Sequence, residues 1–174
     1  LTNDSTASPA DSPSQAGFRR SLLRAWWPAA AWIVLIGFES TDFFSSENTG
    51  TALYTILSRL FGHIDIGEFF VFHHILRKTG HVVGYGTLSL LLLRGWRATF
   101  GYRPGLLLRA ALLSWLGTAF VAAMDEWHQS YIPSRTGTIW DVALDTVAGV
   151  AFLVVAYFWL RRTSDGAAAA RGSA

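Results

Sequence analysis

Cysteine is absent from all 174 residues, methionine occurs once, and lysine occurs once, as Lys78. Without cysteine the chain has no disulfide framework, no thiolate nucleophile and no zinc–thiolate centre, so its loops depend on helix packing and polar contacts. Charge is also scarce: 15% of residues are Asp, Glu, Lys or Arg, against about a quarter in average soluble domains. The net charge is only +2, and the arginines flank apolar runs without forming a basic stripe, which argues against nucleic acid as a partner. There is no phosphate-binding glycine loop, no dinucleotide glycine fingerprint, no HExxH pair, no GxSxG elbow and no internal repeat. What the chain has in excess is apolar surface, 51% of its residues with a mean hydropathy of +0.31. The solvent for much of it is therefore expected to be lipid, and the expected fold class is all-α, an integral membrane bundle.

A bilayer core of about 30 Å needs roughly 20 mostly apolar helical residues. Four stretches meet or approach that length: 22–38, 80–93 with its flanks, 106–124 and 139–160. The first follows three arginines, as a signal peptide would, but no small-residue cleavage site comes after it and three more spans do. Residues 1–17 are rich in Ser, Thr, Pro, Asp and Ala and read as a disordered tail; 163–174 read as a second one, leaving 18–162 as the membrane domain. Arg19, Arg20 and Arg24 precede span one. Arg94, Arg97, Arg103 and Arg109 lie between spans two and three, and Arg161, Arg162 and Arg171 follow span four. In a four-span chain these places share one side, which the positive-inside rule makes cytoplasmic, with both termini there. Tryptophans at both sets of helix ends form the two aromatic belts: Trp26, Trp27, Trp96 and Trp159 on one side, Trp127 and Trp140 on the other. Between spans one and two, residues 51–61 carry Ala52, Leu53, Ile56, Leu57, Leu60 and Phe61 on one helical face, predicting a short interfacial helix on the outer leaflet. Residues 69–76 read as a second interfacial turn leading into span two.

Ionisable groups at mid-bilayer cost at least ~2.5 to 3.5 kcal/mol each on the insertion scale, yet several converge on the outer half of the bundle. Lys78, His81 and Tyr85 are spaced i, i+3 and i+7 at the entry to span two. Asp125, Glu126 and Gln129, with His128 between them, end span three. Arg135 lies in a short proline-containing loop, and Asp141, Asp145 and Gly149 run i, i+4, i+8 down span four. Taken singly, each has a plain reading: Asp125 and Glu126 as a solvated helix end, Lys78 as a snorkelling lysine, Asp141 as a carboxylate favoured by the helix dipole. Asp145, one turn deeper, calls for a partner such as Arg135, Lys78 or His81. Four carboxylates against Lys78 and Arg135 cannot all ionise cheaply in a partly dry site, so one should hold a proton, or His81 be charged, or a cation be bound. His63, His73 and His74 have no metal-ligand spacing and read as interfacial. A set of His81, His128, Asp125 and Glu126 is only a weak metal signal, and neither metal nor cofactor is assigned. The small-xxx-small match from Gly80 to Gly84 reads as close helix packing.

The pattern Lys78-x-x-His81-x-x-x-Tyr85, Asp125-Glu126-Trp127-His128-Gln129, Pro133-x-Arg135 and Asp141-x-x-x-Asp145-x-x-x-Gly149 resembles the VanZ-like family of small bacterial membrane proteins. Ser134 departs from it, standing where a Pro-Gly-Arg turn would have glycine. The resemblance spans about 22–160. It implies a four-helix membrane domain, a bacterial inner membrane and an association with glycopeptide resistance, teicoplanin in particular, without a settled biochemical activity. Three functions stay open. One is an outward-facing site where Lys78, Arg135 and protonated His81 meet the phosphate or carboxylate of an amphipathic or lipid-linked ligand, such as a cell-wall precursor or a lipoglycopeptide. The second is a membrane enzyme with Asp125 or Glu126 as base and His81 or His128 as acid. The third is a bundle whose ion-pair network is structural and which serves a partner protein.

Overall fold

The computed structural model describes residues 13–41, 46–133 and 137–172. They form five α-helices and no strand: α1 (Pro13–Glu39), α2 (Ser46–Phe61), α3 (Ile66–Thr99), α4 (Leu107–Gln129) and α5 (Ile139–Gly172), with a single 3₁₀ turn at Pro104–Leu106 before α4. Two helices run beyond their expected ends. The first begins at Pro13, inside the stretch read as a tail, and α5 continues to Gly172. Low hydrophobicity in these ends spoke against burial, but it does not forbid helix where Ala167 to Ala170 carry the highest intrinsic helix propensity.

Three helices are long and apolar enough to cross a membrane, over Gln15–Glu39, Pro104–Gln129 and Ile139–Ser164. The expected fourth, on α3, is long enough but not apolar enough. Between Ile66 and Thr99 it carries Glu68, Arg77, Lys78, Arg94 and Arg97, and its apolar stretch is diluted by Gly84, Tyr85, Gly86 and Ser89. The interfacial turn expected at 69–76 is not separate: it is the first part of α3, since no proline interrupts the backbone ladder between Ile66 and Thr99. At 34 residues, α3 is about 51 Å long, well beyond the roughly 30 Å of a bilayer core. Asp65 caps its start, its side chain accepting from the Glu68 N–H at 3.0 Å. Gly101 ends it in the left-handed region (φ 66°), where glycine carries no Cβ penalty.

α1, α4 and α5 all pack on α3, and successive long helices run up and down. Trp26 of α1 donates to Thr99 at the end of α3 (3.1 Å), and Ser40, just after α1, meets His128 at the end of α4 (3.0 Å). Core side chains are few: Leu88, Tyr85, Leu92, Ala29, Ile36 and Ala122 in one cluster, Leu93, Leu107, Ala110 and Leu153 in another. Elsewhere the helices meet through small residues. A Cβ on Gly149 would stand 3.0 Å from Thr118 Cγ2 and 3.5 Å from Ser89 Cβ, and one on Gly86 would stand 2.7 Å from the Phe152 ring. Such residues let helix backbones approach where lipid removes the hydrophobic drive for association. Large apolar side chains face outward instead, among them Val34, Leu116, Phe120, Val147, Val155 and Trp159. Helix α2 touches α3 through Tyr54 against Phe69 (5.1 Å between ring centres) and leaves Ile56, Leu60 and Phe61 exposed.

Candidate functional site

At the end of the bundle where α3 and α5 begin and α4 ends, polar side chains from three helices meet. Lys78 forms an ion pair with Asp141. One turn deeper, His81 Nδ1 lies 3.1 Å from Asp145 Oδ2, and Asp145 is fully buried. A further turn down α3, Tyr85 donates its hydroxyl to Asp125 Oδ2 at 2.8 Å, and Gln129 Nε2 donates to the same oxygen at 3.1 Å. Glu126 Oε2 accepts the Thr138 N–H at 2.8 Å, tying the end of α4 to the start of α5. Thr138 also starts that helix, its Oγ1 accepting from the Asp141 N–H at 3.2 Å. The chain turns sharply here: a Cβ on Gly137 would lie 2.3 Å from the Glu126 carbonyl oxygen, so only glycine fits. Helical spacing of i, i+3, i+7 on α3 and i, i+4 on α5 and α4 is what turns these residues to a common interior.

Beside this cluster, between α1, α2, α3 and α4, lies a cavity of about 520 Å³. Ile36, Leu53 and Leu76 make part of its wall apolar, while Arg77, His81, Tyr85, Asp125 and Gln129 supply polar groups. Gly80 and Gly84 line it as well. A Cβ on either would meet nothing within 4 Å, so this pair does not make the close helix contact expected of it. It leaves room in the cavity, and the Gly84 carbonyl is held from the other side by the Trp32 Nε1–H of α1 at 2.9 Å.

Lys78, His81, Tyr85, Asp125, Glu126, Gln129, Asp141 and Asp145 thus stand in one connected group. Arg135 lies outside the described residues. His128 turns away, is exposed, and bonds Ser40. The weak metal set of His81, His128, Asp125 and Glu126 is accordingly not assembled; His81, Glu126 and Asp145 come together instead. His63 and His74 are exposed. His73 is buried where α2 crosses α3, stacked on Phe69. Burial first, then repulsion from Arg77 and His74, holds its imidazole below the ordinary value.

Two contributors escaped the sequence reading. Arg77 is the cation on the cavity wall; its spacing of four from His81 puts it on the same helical face, a signal as good as the one that selected Lys78. Ser40 had no such signal, being a lone serine after an apolar helix.

Comparison with curated proteins and with solved structures gives no match. A family model described as VanZ/LLP1 matches residues 15–161, a stretch that contains every helix-to-helix contact of the polar group and the whole cavity wall. By that match over most of its length, the chain belongs to the VanZ/LLP1 family.

Proposed function

We propose that this chain is a multi-pass protein of the bacterial inner membrane in which α3 is a fourth span, both termini are cytoplasmic, and the cavity faces outward to hold the anionic head group of an amphipathic or lipid-linked ligand. The observation that carries the reading is the cavity itself, with an apolar wall of Ile36, Leu53 and Leu76 beside Arg77 and His81. That division matches a molecule with a chain at one end and a phosphate or carboxylate at the other. Lys78, engaged by Asp141, holds the cluster together, and Arg77 is the cation that meets the anion. α3 is assigned as a span because α1, α4 and α5 all pack on it, and because about 24 Å of helix, from Lys78 to Arg94, separates the polar group from the arginines. Membership of a family linked to VanZ-type resistance favours a cell-wall precursor or a lipoglycopeptide such as teicoplanin.

In nanodiscs, the full chain should bind a polyprenyl phosphate more tightly than the parent polyprenol, and Arg77→Ala should weaken the phosphate by at least about tenfold, as expected for loss of a charge-assisted contact. Equal affinity for the two lipids would overturn the reading. A second reading, a membrane enzyme acting on such a lipid, is favoured by one observation: the His81 imidazole bonded to the buried Asp145 carboxylate, an arrangement that orients a general base. Hydrolysis of the phosphate or acyl bond, lost in His81→Gln, would select it.

A further inference from the structure

Three carboxylate oxygens in the polar group, Asp125 Oδ1, Glu126 Oε1 and Asp145 Oδ1, are buried and have no hydrogen-bond partner. Their residues are 9%, 5% and 0% exposed. Leaving such an acceptor unmet is costly, and more so when it carries charge. Among the described residues the hydrogen bonds around them go to other oxygens: Lys78 to Asp141, Thr138 N–H to the other oxygen of Glu126, Tyr85 and Gln129 to the other oxygen of Asp125, and none reaches the three open ones from Arg77. His81 faces the other oxygen of Asp145. A proton removes the charge but leaves a buried O–H donor in need of an acceptor, and no carboxyl–carboxyl hydrogen bond occurs among the described residues. One cation, by contrast, can take an oxygen of Glu126 and an oxygen of Asp145 at once.

We infer that His81, Glu126 and Asp145 bind a divalent cation of the zinc or manganese class. One donor atom from each lies within 4.8 Å of the other two, and the three come from α3, α4 and α5. Donors sharing one ion through bonds of about 2.1 Å stand at most about 4.2 Å apart, so the group closes on an ion by small side-chain rotations. One imidazole with two carboxylates suits zinc or manganese, whereas calcium takes six to eight oxygens. His81 lies on the cavity wall, which gives the ion a way in. Two positive charges against two carboxylates leave the centre neutral with imidazole uncharged, and lessen the repulsion an anionic head group would otherwise meet beside Asp125 and Glu39. The inference does not depend on that ligand: the donors are assembled without it.

The test uses the full chain in detergent, stripped with a chelator and given zinc or manganese alone, with no lipid ligand. The folded protein should retain one ion per chain through desalting, and its unfolding temperature should rise with metal. Glu126→Gln and Asp145→Asn should each weaken retention by at least about tenfold, while Arg161→Ala at the far end should not. Because a variant that fails to fold also fails to bind, the wild type carries an independent readout: bound manganese should show nitrogen hyperfine coupling from an imidazole, lost in a folded His81→Gln. Folded wild type without a retained ion, manganese bound without that coupling, or folded Glu126→Gln and Asp145→Asn binding like wild type would each overturn the inference. Failure of phosphate binding with metal retained would instead count only against the ligand proposed above.

Discussion

The two ends of this bundle handle charge in opposite ways. At one end the arginines lie over aromatic rings, Arg109 and Arg161 exposed and Arg97 half-buried: Arg97 over Tyr102, Arg109 over Phe100 and Arg161 over Tyr157, each guanidinium between 5.3 and 5.6 Å from the ring centre. Arg94 adds a hydrogen bond to the Arg24 carbonyl. At the other end four carboxylates, Asp125, Glu126, Asp141 and Asp145, turn inward between helices, each with a specific partner on another element. Exposed cations can be exchanged or moved by a turn at little energetic cost, so the arginine end contributes little stability. Buried carboxylates are tolerated only in a few arrangements, so the polar end fixes the register of the helices.

The largest expected effect breaks the polar end. His81→Ala leaves Asp145, wholly buried, without a hydrogen bond on either oxygen, and removal of one partner from a buried pair costs ~3–5 kcal/mol. Denaturation in mixed micelles should show it, and the double change His81→Ala with Asp145→Leu should recover most of the loss. Next come the tight crossings. Gly86→Ala drives a methyl into the Phe152 ring and should cost ~1–3 kcal/mol by overpacking, whereas Gly84→Ala, which faces open space, should cost far less in the same assay. Tyr85→Phe removes one of two donors to Asp125 and should cost about 1 kcal/mol. Arg161→Ala should change stability by less than about 0.5 kcal/mol, as expected for an exposed cation–π contact. The two ends should also differ in access: in whole cells an impermeant maleimide should label Tyr131→Cys and spare Thr163→Cys, the chain offering no native thiol to confuse the result.

The smallest effect is local and set by pH. His73 sits under Gly50 and near Thr49 of α2, and its folded value is lowered by burial, Arg77 and His74. Its contribution to the docking of α2 is therefore complete above the unfolded value of about 6.5 and is lost as pH falls through the lowered one. The protection of amides 49–55 relative to their intrinsic exchange rates should fall in acid, and His73→Gln should remove most of that pH dependence.

Most of the polar group was legible because helical spacing alone turns Lys78, His81 and Tyr85, and separately Asp141 and Asp145, to one side. Which residues of different helices pair was not, since Lys78 had four carboxylates to choose from and took Asp141. The continuity of α3 was hidden because apolar periodicity marks faces and does not show whether a surface turn is joined to the span below it. The role of Gly80 and Gly84 was misread for a related reason: a glycine pair signals missing side chains, and only the neighbouring helices decide whether the space is filled by backbone or left as cavity.

The contact of Gly149 with Thr118 and Ser89 sits about 12 Å below Glu126 and His81, eight residues along α4 and α3 respectively. Three helices are pinched at that level, where a rigid helix that tilted would pivot. A tilt of only about 5° there displaces a side chain at the polar end by about 1 Å, and the same tilt carries the arginine end the opposite way. Any widening at one mouth is thereby written, with reversed sign, at the other.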